Sequence, residues 1–415
     1  MDPTQASAPA DGARLVAVRA DSRDAVAMID EVWRDGDAAL PLDPSLSDDA
    51  ALAAARYLGA AAMVDRTGRQ PLSGGTGVRP GTALVVRTSG ATGTPRGVVL
   101  GHAALAAGVA ASVDRLDAGD ARWLAVLPVH HVAGLLVVLR ARVAGVTPIV
   151  HDRFDVAAVA AAPATHVALV PTMLHRLLES GVDVARFDRI LLGGAAPPDD
   201  LLARATAAGA RVTVSYGMTE TCGGCVYGGL PLDGVAVAVD PDDRILLRGD
   251  VLADGYRTAD GLTPLPGADG WFRSSDVGGF VDGRLVVSGR ADDVIVSGGV
   301  NVSTAAVATL LRSHAGVADA AVVGVADPEW GQQAIAFVVP VTRATPPAPE
   351  ALRRHVADAA GDAMAPRRVL LVDALPRTAL GKIDRGALRR DARPGPGRDA
   401  GRGDATTGRD QVTGG

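Results

Sequence analysis

The chain has 415 residues, of which 48% are hydrophobic and 21% are charged, with a formal net charge of −6 at pH 7. The length allows roughly two or three domains, and the composition excludes a chain that is disordered throughout. Arginines are interspersed with aspartates and only 3% of the residues are aromatic, so we expect no nucleic-acid partner. The N-terminus has no cationic and apolar leader, and no apolar run approaches the roughly 20 residues of a membrane span, so we expect a cytosolic protein with no membrane partner.

Short apolar runs alternate with helical patterns through the first two-thirds of the chain. The runs that predict strands buried on both faces are 83–87, 123–127, 167–170, 190–192 and 212–214. The patterns that predict helices are 102–113, 132–143, 171–179 and 198–208. This alternation predicts an α/β domain over residues 1–290, with a largely parallel sheet flanked by helices.

The pattern changes near Asp282. The following elements are a predicted hairpin over 279–288, a helix from about Thr304, strands near 320–325 and 334–340, and a helix over 349–359. They predict a smaller α+β domain over residues 291–390. Residues 391–415 hold almost no large apolar side chain and are rich in Gly, Pro and opposite charges, which is typical of a disordered tail.

Cysteine and lysine are both rare in this chain. Cys222 and Cys225 form a single C-x-x-C motif, whereas a structural zinc site needs four ligands. We therefore expect packed thiols, with a redox pair as the alternative. Of the 41 basic residues, only Lys382 is a lysine. If arginine replaces lysine wherever any cation suffices, this exception needs a chemical reason.

Three polar or Gly-rich segments, 88–97, 193–197 and 215–221, each follow a predicted strand directly. Ligands of open α/β sheets bind outside the carboxyl ends of the strands, so we expect these loops to line one crevice. The first loop offers hydroxyls, glycines and a guanidinium, which suit a polyphosphate, although an ordinary Gly/Thr turn is the alternative. It is not a Walker A loop, and the chain also lacks the motifs of zincins, α/β-hydrolases and Rossmann dehydrogenases.

Five segments resemble, in order, the motifs of the adenylate-forming superfamily, which includes acyl-CoA synthetases, peptide-synthetase adenylation domains and luciferases. They are the loop 88–97, Y-G-M-T-E at 216–220, W-F-R-S-S-D-V-G at 271–278, G-R-A-D-D-V-I-V-S-G-G-V-N at 289–301 and P-R-T-A-L-G-K-I at 376–383. The resemblance implies a large α/β N-terminal domain and a smaller, mobile α+β C-terminal domain. It also implies ATP, Mg²⁺ and coenzyme A as cofactor and co-substrates.

The resemblance implies residues for each part of a bound nucleotide. The β- and γ-phosphates would be held by Thr88, Ser89, Gly90, Thr92, Gly93, Thr94 and Arg96. The adenine side would be formed by Gly193, Gly194, Ala195, Tyr216, Gly217 and Thr219. Asp276, with Arg290 nearby, would accept the ribose hydroxyls, although an Asp in a turn is the simpler interpretation of Asp276 alone.

Other matched positions imply roles in chemistry and in substrate binding. Glu220 would hold Mg²⁺, which takes carboxylate and phosphate oxygens, with a solvated helix start as its alternative. Lys382 would bridge the charge that develops when a carboxylate attacks the α-phosphorus of ATP. His131, as a catalytic and substrate-binding residue, would lie at the mouth of an acyl pocket with Gly194 and Thr221, and a packed core histidine is its alternative.

The hinge motif implies a pivot at Asp292 and a loop containing Gly298 and Gly299 that serves the CoA step. Arg96 stands where the superfamily usually has a lysine, which keeps the charge but changes the geometry. Only 87 residues precede the phosphate loop, so we expect part of the usual N-terminal subdomain to be reduced.

The compact N-terminus, the segment 127–145 and the run G-M-T-E-T-C at 217–222 resemble the 2-succinylbenzoate–CoA ligases of menaquinone biosynthesis. The resemblance implies an ATP-dependent acid–CoA ligase that forms acyl-AMP and then acyl-CoA. The alternatives are another small acyl- or aryl-CoA ligase, and a non-catalytic nucleotide-binding protein on the same fold. The oligomeric state stays open, with a homodimer as one option.

Overall fold

The computed structural model describes residues 12–89, 95–297, 300–327, 330–377 and 383–392. By their contacts they divide into two compact units. The larger unit comprises the described residues within Met1–Ser274 and Gly278–Val286, and the smaller unit comprises those within Ser275–Val277 and Val287–Gly415. The predicted domain bounds at residues 290 and 390 remain predictions.

The larger unit begins with alternating strands and helices. Its elements up to residue 116 are β1 (Leu15–Arg19), α1 (Ser22–Arg34), β2 (Ala38–Leu42), α2 (Asp48–Tyr57), β3 (Ala62–Asp65), β4 (Gly68–Pro71), β5 (Thr82–Ser89), β6 (Pro95–Gly101) and α3 (His102–Leu116). The next are β7 (Trp123–Ala125), α4 (Val132–Val143), β8 (Ile149–Val150), α5 (Val156–Ala161), β9 (His166–Leu169), α6 (Pro171–Glu179), β10 (Arg189–Leu192), α7 (Asp199–Ala207) and β11 (Val212–Met218). The predicted helices 132–143 and 171–179 are confirmed at both ends.

Strands dominate the chain after β11. These strands are β12 (Gly223–Tyr227), β13 (Leu230–Pro231), β14 (Val235–Val239), β15 (Arg244–Gly249), β16 (Gly255–Thr258), β17 (Gly261–Pro264), β18 (Phe272–Val281) and β19 (Arg284–Arg290). The predicted hairpin turn is confirmed, because Asp282 (φ 49°) and Gly283 (φ 73°) both have the positive φ of a tight Asp-Gly turn between β18 and β19.

Two large sheets form the larger unit. The eight-stranded sheet has the order β17-β16-β6-β5-β2-β1-β3-β4, and the seven-stranded sheet has the order β13-β12-β11-β10-β9-β7-β8. A four-stranded sheet follows, with the order β14-β15-β18-β19. The strands from β8 to β11 are parallel, but β5 and β6 pair antiparallel. The parallel pairs agree with the predicted α/β domain, whereas the two strands that flank residues 90–94 are antiparallel neighbours.

The core of the larger unit lies around α3 and α4. Helix α3 contacts β5 and β6 of the eight-stranded sheet and β12 of the seven-stranded sheet, and α4 contacts α3, β7, β9 and β12. Leu105, Leu135 and Leu136 are buried in this layer. Because α4 is apolar around most of its circumference, it fits a helix enclosed between layers.

The smaller unit is an α+β domain, as predicted. Its elements are β20 (Val294–Ser297), β21 (Val300–Ser303), α8 (Thr304–Arg312), β22 (Val317–Asp327), β23 (Gly331–Pro340), α9 (Pro349–Ala360), β24 (Arg368–Leu371) and α10 (Arg385–Asp391). Val322 packs with residues of α8 and α9, whereas its neighbour Val323 packs with residues of α10, as alternating strand residues should. Ala392 is fully buried beside α10, and the disordered tail over 391–415 remains a prediction. Residues 393–415 lie outside the described residues.

The predicted packed thiols are confirmed, since Cys222 and Cys225 are both free and buried. In the described ranges, we find no helix whose length and apolar character would let it cross a membrane.

Candidate active site

We call strands β5 and β6, which flank the predicted phosphate loop, the phosphate hairpin. Its base holds two buried polar atoms that have no hydrogen-bond partner among the described residues. Thr88 on β5 and Arg96 on β6 are direct cross-strand partners. Among the described residues, Thr88 Oγ1 and Arg96 Nε are both buried without a hydrogen-bond partner. Buried polar atoms in proteins are normally paired, so this position fits a ligand that supplies oxygen acceptors. The predicted phosphate ligands Gly90, Thr92, Gly93 and Thr94 lie outside the described residues, and Ser89 ends β5.

Arg96, Glu220 and Tyr256 form a cluster beside this hairpin. Arg96 Nη2 lies 3.3 Å from Glu220 Oε1, and the Tyr256 hydroxyl donates to the same oxygen at 2.8 Å. The Arg96 guanidinium carbon lies 3.7 Å from the centre of the Tyr256 ring. Two of the three predicted loops therefore meet. Tyr256 was not predicted, because only the pairing of β16 with β6 brings it here.

The second loop lies beside the third through the parallel pair β10 and β11. A Cβ at Gly193 would lie 3.5 Å from the carbonyl oxygen of Ser215, so the two chain segments are in close contact. Gly194 has a φ of +82°, a conformation that favours glycine. Gly194 and Ala195 are exposed, whereas Tyr216 is half-buried. These loops therefore leave surface on which a flat ring could lie.

Gly217 is required by the packing of β11 on β12. The pairing of these strands shifts register between Tyr216 and Gly217. A Cβ at Gly217 would lie 2.0 Å from the carbonyl oxygen of Gly223, a distance that no real side chain tolerates. Gly217 of the predicted Y-G-M-T-E motif is therefore required for the close approach of the two strand backbones. This packing positions the turn that carries Glu220.

The turn Thr219–Thr221 follows β11 and holds Glu220 in a buried position, with 8% of its surface exposed. The Thr221 hydroxyl accepts from the Met218 N–H at 3.0 Å and donates to the Gly223 carbonyl at 2.7 Å. Thr221 is itself buried. Because its hydroxyl is used inside the turn, the geometry favours a supporting role for Thr221 over the predicted substrate contact. Thr219 is half-buried in the same turn.

His131 precedes α4 and contacts a second histidine. The His130 and His131 ring centres are 4.4 Å apart, and His130 Nε2 lies 4.0 Å from Asp43 Oδ2. Burial lowers the pKa of His130, although Asp43 opposes this. Burial acts to raise the pKa of Asp43, but hydrogen bonds from Ser45 and the nearby histidines hold that pKa below its usual range. No pattern in the sequence indicates that His130 and Asp43 meet beside His131.

The smaller unit brings together the predicted ribose-binding residues. Arg290 Nη1 lies 3.8 Å from Asp276 Oδ1, and the Asp276 side chain is only 14% exposed. Asp292 lies in the turn Ala291–Asp293. The adjacent Asp293 is buried, forms an ion pair with Arg385 and accepts a hydrogen bond on its carbonyl from Thr304 at 2.7 Å. The predicted CoA-step residues Gly298 and Gly299 lie outside the described residues.

Lys382 also lies outside the described residues, but both flanks of its segment are described. Arg377 and Ile383 pair as an isolated antiparallel bridge, and the Asp384 N–H donates to the Pro376 carbonyl at 2.8 Å. Arg377 also donates to Asp319 at 2.9 Å. The two ends of the lysine segment are therefore held side by side.

Glu220 fits a magnesium ligand in a site completed by a nucleotide. The described ranges contain no group of three or more His, Cys, Asp or Glu side chains that could hold a metal by themselves. Mg²⁺ is commonly held by one or two carboxylates together with phosphate oxygens and water. A single buried carboxylate beside a phosphate hairpin matches that donor set.

Two regions of the chain match the models of one enzyme family. Residues 78–244 match the AMP-binding enzyme family, and residues 306–382 match the C-terminal domain of AMP-binding enzymes. The chain belongs to the AMP-binding enzyme family. The predicted family and fold class are confirmed.

A curated relative and two solved structures narrow the comparison. The probable 2-succinylbenzoate–CoA ligase of Mycobacterium tuberculosis is 42% identical over 322 residues, which cover 74% of this chain and 83% of the relative. The o-succinylbenzoate CoA synthetase of Bacillus subtilis, solved with its acyl-adenylate intermediate, is 26% identical with a TM-score of 0.80, covering 93% of this chain and 90% of that one. The amide bond synthetase McbA of Marinactinospora thermotolerans is 28% identical with a TM-score of 0.80, covering 94% and 92%.

Proposed function

We propose that the chain is an ATP-dependent acid–CoA ligase whose acid is 2-succinylbenzoate. The observation that carries this proposal is the 42% identity to a relative named as such a ligase, over 83% of that relative's length. The convergence of the phosphate hairpin on the buried Glu220 supports nucleotide chemistry at the same place. A role in menaquinone biosynthesis and a cytosolic location belong to the same proposal.

The reaction would occur in two transfers. The substrate carboxylate attacks the α-phosphorus of ATP, an O–P bond forms, and the bond to pyrophosphate breaks. The thiol of coenzyme A then attacks the acyl carbonyl, loses its proton and releases AMP. Residues 88–96 would hold the phosphates, and Lys382 would stabilise the charge that develops between the carboxylate and the leaving pyrophosphate.

Mg²⁺ bound with Glu220 would neutralise phosphate charge during the first transfer. Gly193, Gly194, Ala195 and Tyr216 would form the adenine side. Asp276, oriented by Arg290, would accept the ribose hydroxyls, because a carboxylate accepts two hydrogen bonds readily. Asp292 would be the pivot between the two transfers.

The acid pocket would be formed near the start of α4. This helix supplies apolar surface for an aromatic ring, and His131 at its N-terminal end can donate a hydrogen bond to a substrate oxygen. Asp43 lies beside His130, whose ring contacts that of His131. We therefore place His131 as the polar end of an otherwise apolar pocket.

The molecule that accepts the activated acyl group has a specific alternative to coenzyme A. The McbA structure, a named amide bond synthetase, is as similar in fold as the CoA synthetase of B. subtilis. An enzyme of that type would pass the activated acyl group to an amine. A non-catalytic nucleotide-binding protein is a third alternative.

Label exchange between pyrophosphate and ATP separates these alternatives. We expect exchange that depends on 2-succinylbenzoate, since a protein that only binds nucleotide cannot exchange label. Glu220→Gln should abolish most of it, whereas Glu31→Gln on the exposed surface of α1 should not. Mass analysis after adding coenzyme A or a primary amine then identifies the acceptor. Exchange that requires no acid, or no exchange at all, would overturn the proposal.

A further inference from the structure

Tyr256 touches both charged residues of the predicted phosphate and metal site. Its hydroxyl donates to Glu220 at 2.8 Å, and its ring face lies 3.7 Å from the Arg96 guanidinium carbon. We infer that Tyr256 is a positioning residue that orients Glu220 through its hydroxyl and Arg96 through its ring. This inference rests on the proposed function, which gives those two residues their ligands.

The hydroxyl determines how the Glu220 carboxylate is turned. The Tyr256 hydroxyl and Arg96 Nη2 both approach Oε1 of Glu220. A carboxylate whose side chain is only 11% exposed has few waters to replace a lost donor. Hydrogen bonds to a charged acceptor are stronger than those between neutral groups. The tyrosine hydroxyl therefore fixes the rotation of the carboxylate before any cation arrives.

The Tyr256 ring accounts for Arg96 at a position where the resemblance implies a lysine. A flat guanidinium stacks on an aromatic face, whereas an ammonium does so less completely. Arg96 Nε is buried and unpaired among the described residues, so hydrogen bonding of this atom does not hold the side chain in place. The contact with the Tyr256 ring is therefore a second restraint on Arg96, in addition to the contact of its Nη2 with Glu220.

Strand β16 makes Tyr256 a rigid support. Tyr256 pairs with Val98 on β6, the strand that also carries Arg96. The next residue, Arg257, donates to the carbonyl oxygens of Leu58, Gly77 and Thr76 at 2.7, 3.0 and 2.9 Å. These bonds fix the strand to the chain segments beside it. A residue on such a strand can hold its neighbours in a defined geometry.

The test distinguishes the role of the Tyr256 hydroxyl from the role of the Tyr256 ring. Binding of α,β-methylene-ATP is measured by calorimetry with Mg²⁺ and again with EDTA, on the full chain and its variants. We expect Tyr256→Phe to weaken binding with Mg²⁺ about 10-fold and to change metal-free binding by less than about twofold, because the bond to Glu220 is lost while the ring beside Arg96 is kept. Tyr256→Leu should weaken binding in both conditions, because Arg96 is released as well. Tyr57→Phe on α2 is the matched control and should change neither.

The Glu220→Gln variant distinguishes a failure of the inference about Tyr256 from a failure of the proposed site. If Glu220→Gln weakens binding with Mg²⁺ but Tyr256→Phe does not, the inference about Tyr256 is overturned and the proposed site stands. If Glu220→Gln also has no effect, the proposed site itself fails. The double variant should lose no more than Glu220→Gln alone, since both changes act on one interaction. Tyr256→Phe keeps the packed ring, so it decides the matter even if Tyr256→Leu does not fold.

Discussion

Arg96 and Glu220, 124 positions apart in the sequence, form an ion pair with 3.3 Å between Nη2 and Oε1. Arg96 belongs to the eight-stranded sheet, and Glu220 lies in the turn that follows β11 of the seven-stranded sheet. The pair therefore joins the two sheets at the predicted nucleotide site. Arg96 is 36% exposed, so solvent screening makes its contribution to stability small. The ion pair matters because it fixes the positions of the Arg96 and Glu220 charges relative to each other.

Lys382→Ala should separate the two transfers. We expect a loss on the order of 10² to 10³ in acyl-AMP formation, by analogy with removing a preorganised donor to developing charge. Thioester formation from supplied acyl-adenylate should persist. Lys382→Arg tests the geometry, because a guanidinium keeps the charge but fits a compact site poorly. If both transfers fall equally in a folded Lys382→Ala variant, the lysine does not serve adenylation alone.

The predictions of secondary structure succeeded where the signal was local, and the roles of the site residues stay predictions. The ends of α6 follow from its apolar periodicity and from Pro171 at the first helical turn, and α4 follows from its continuous apolar run. The antiparallel pairing of β5 with β6 was not predicted. Strand β6 leads directly into α3, and its apolar residues do not indicate whether its neighbour is parallel or antiparallel. Tyr256 could not be predicted, since its contact with Glu220 depends on the pairing of strands about 160 residues apart in sequence.

Asp292→Pro should impair the second transfer selectively. Hinge residues absorb a large change in φ and ψ, and proline fixes φ and removes an N–H. We expect adenylate formation to stay measurable while thioester formation stalls. Asp292→Ala, which leaves the backbone free, serves as the control. Normal thioester synthesis by the proline variant would place the pivot elsewhere.

Gly217→Ala should destabilise the larger unit. Its new Cβ would lie 2.0 Å from the Gly223 carbonyl oxygen, so one strand must shift. We expect a loss of about 1–3 kcal/mol in the free energy of unfolding, measured with urea. Gly119→Ala, where no atom lies within 4 Å of the new Cβ, should change it by less than about 0.5 kcal/mol. Equal effects of the two substitutions would contradict the close packing of β11 on β12.

The two cysteines should be unreactive in the folded protein. Burial raises the pKa of the Cys222 thiol far above its usual range, and burial raises the pKa of Cys225 to about 12. Since the thiolate is the reactive form, labelling by a disulfide reagent at pH 8 should be negligible until denaturant is added. Rising pH should also destabilise the fold above about pH 9, where unfolded thiols ionise but folded ones do not. Rapid labelling of the native protein would contradict the buried thiols.

The most direct test of the substrate compares CoA-thioester formation across four kinds of acid. We predict that 2-succinylbenzoate exceeds benzoate, benzoylpropanoate and medium-chain fatty acids by at least about 10²-fold in kcat/KM, because a pocket built for the ring carboxylate leaves donors unpaired when that group is absent. His131→Ala should lower both turnover and this preference, since alanine cannot donate to a substrate oxygen. A fatty acid or simple aryl acid that matches 2-succinylbenzoate would contradict the proposed substrate.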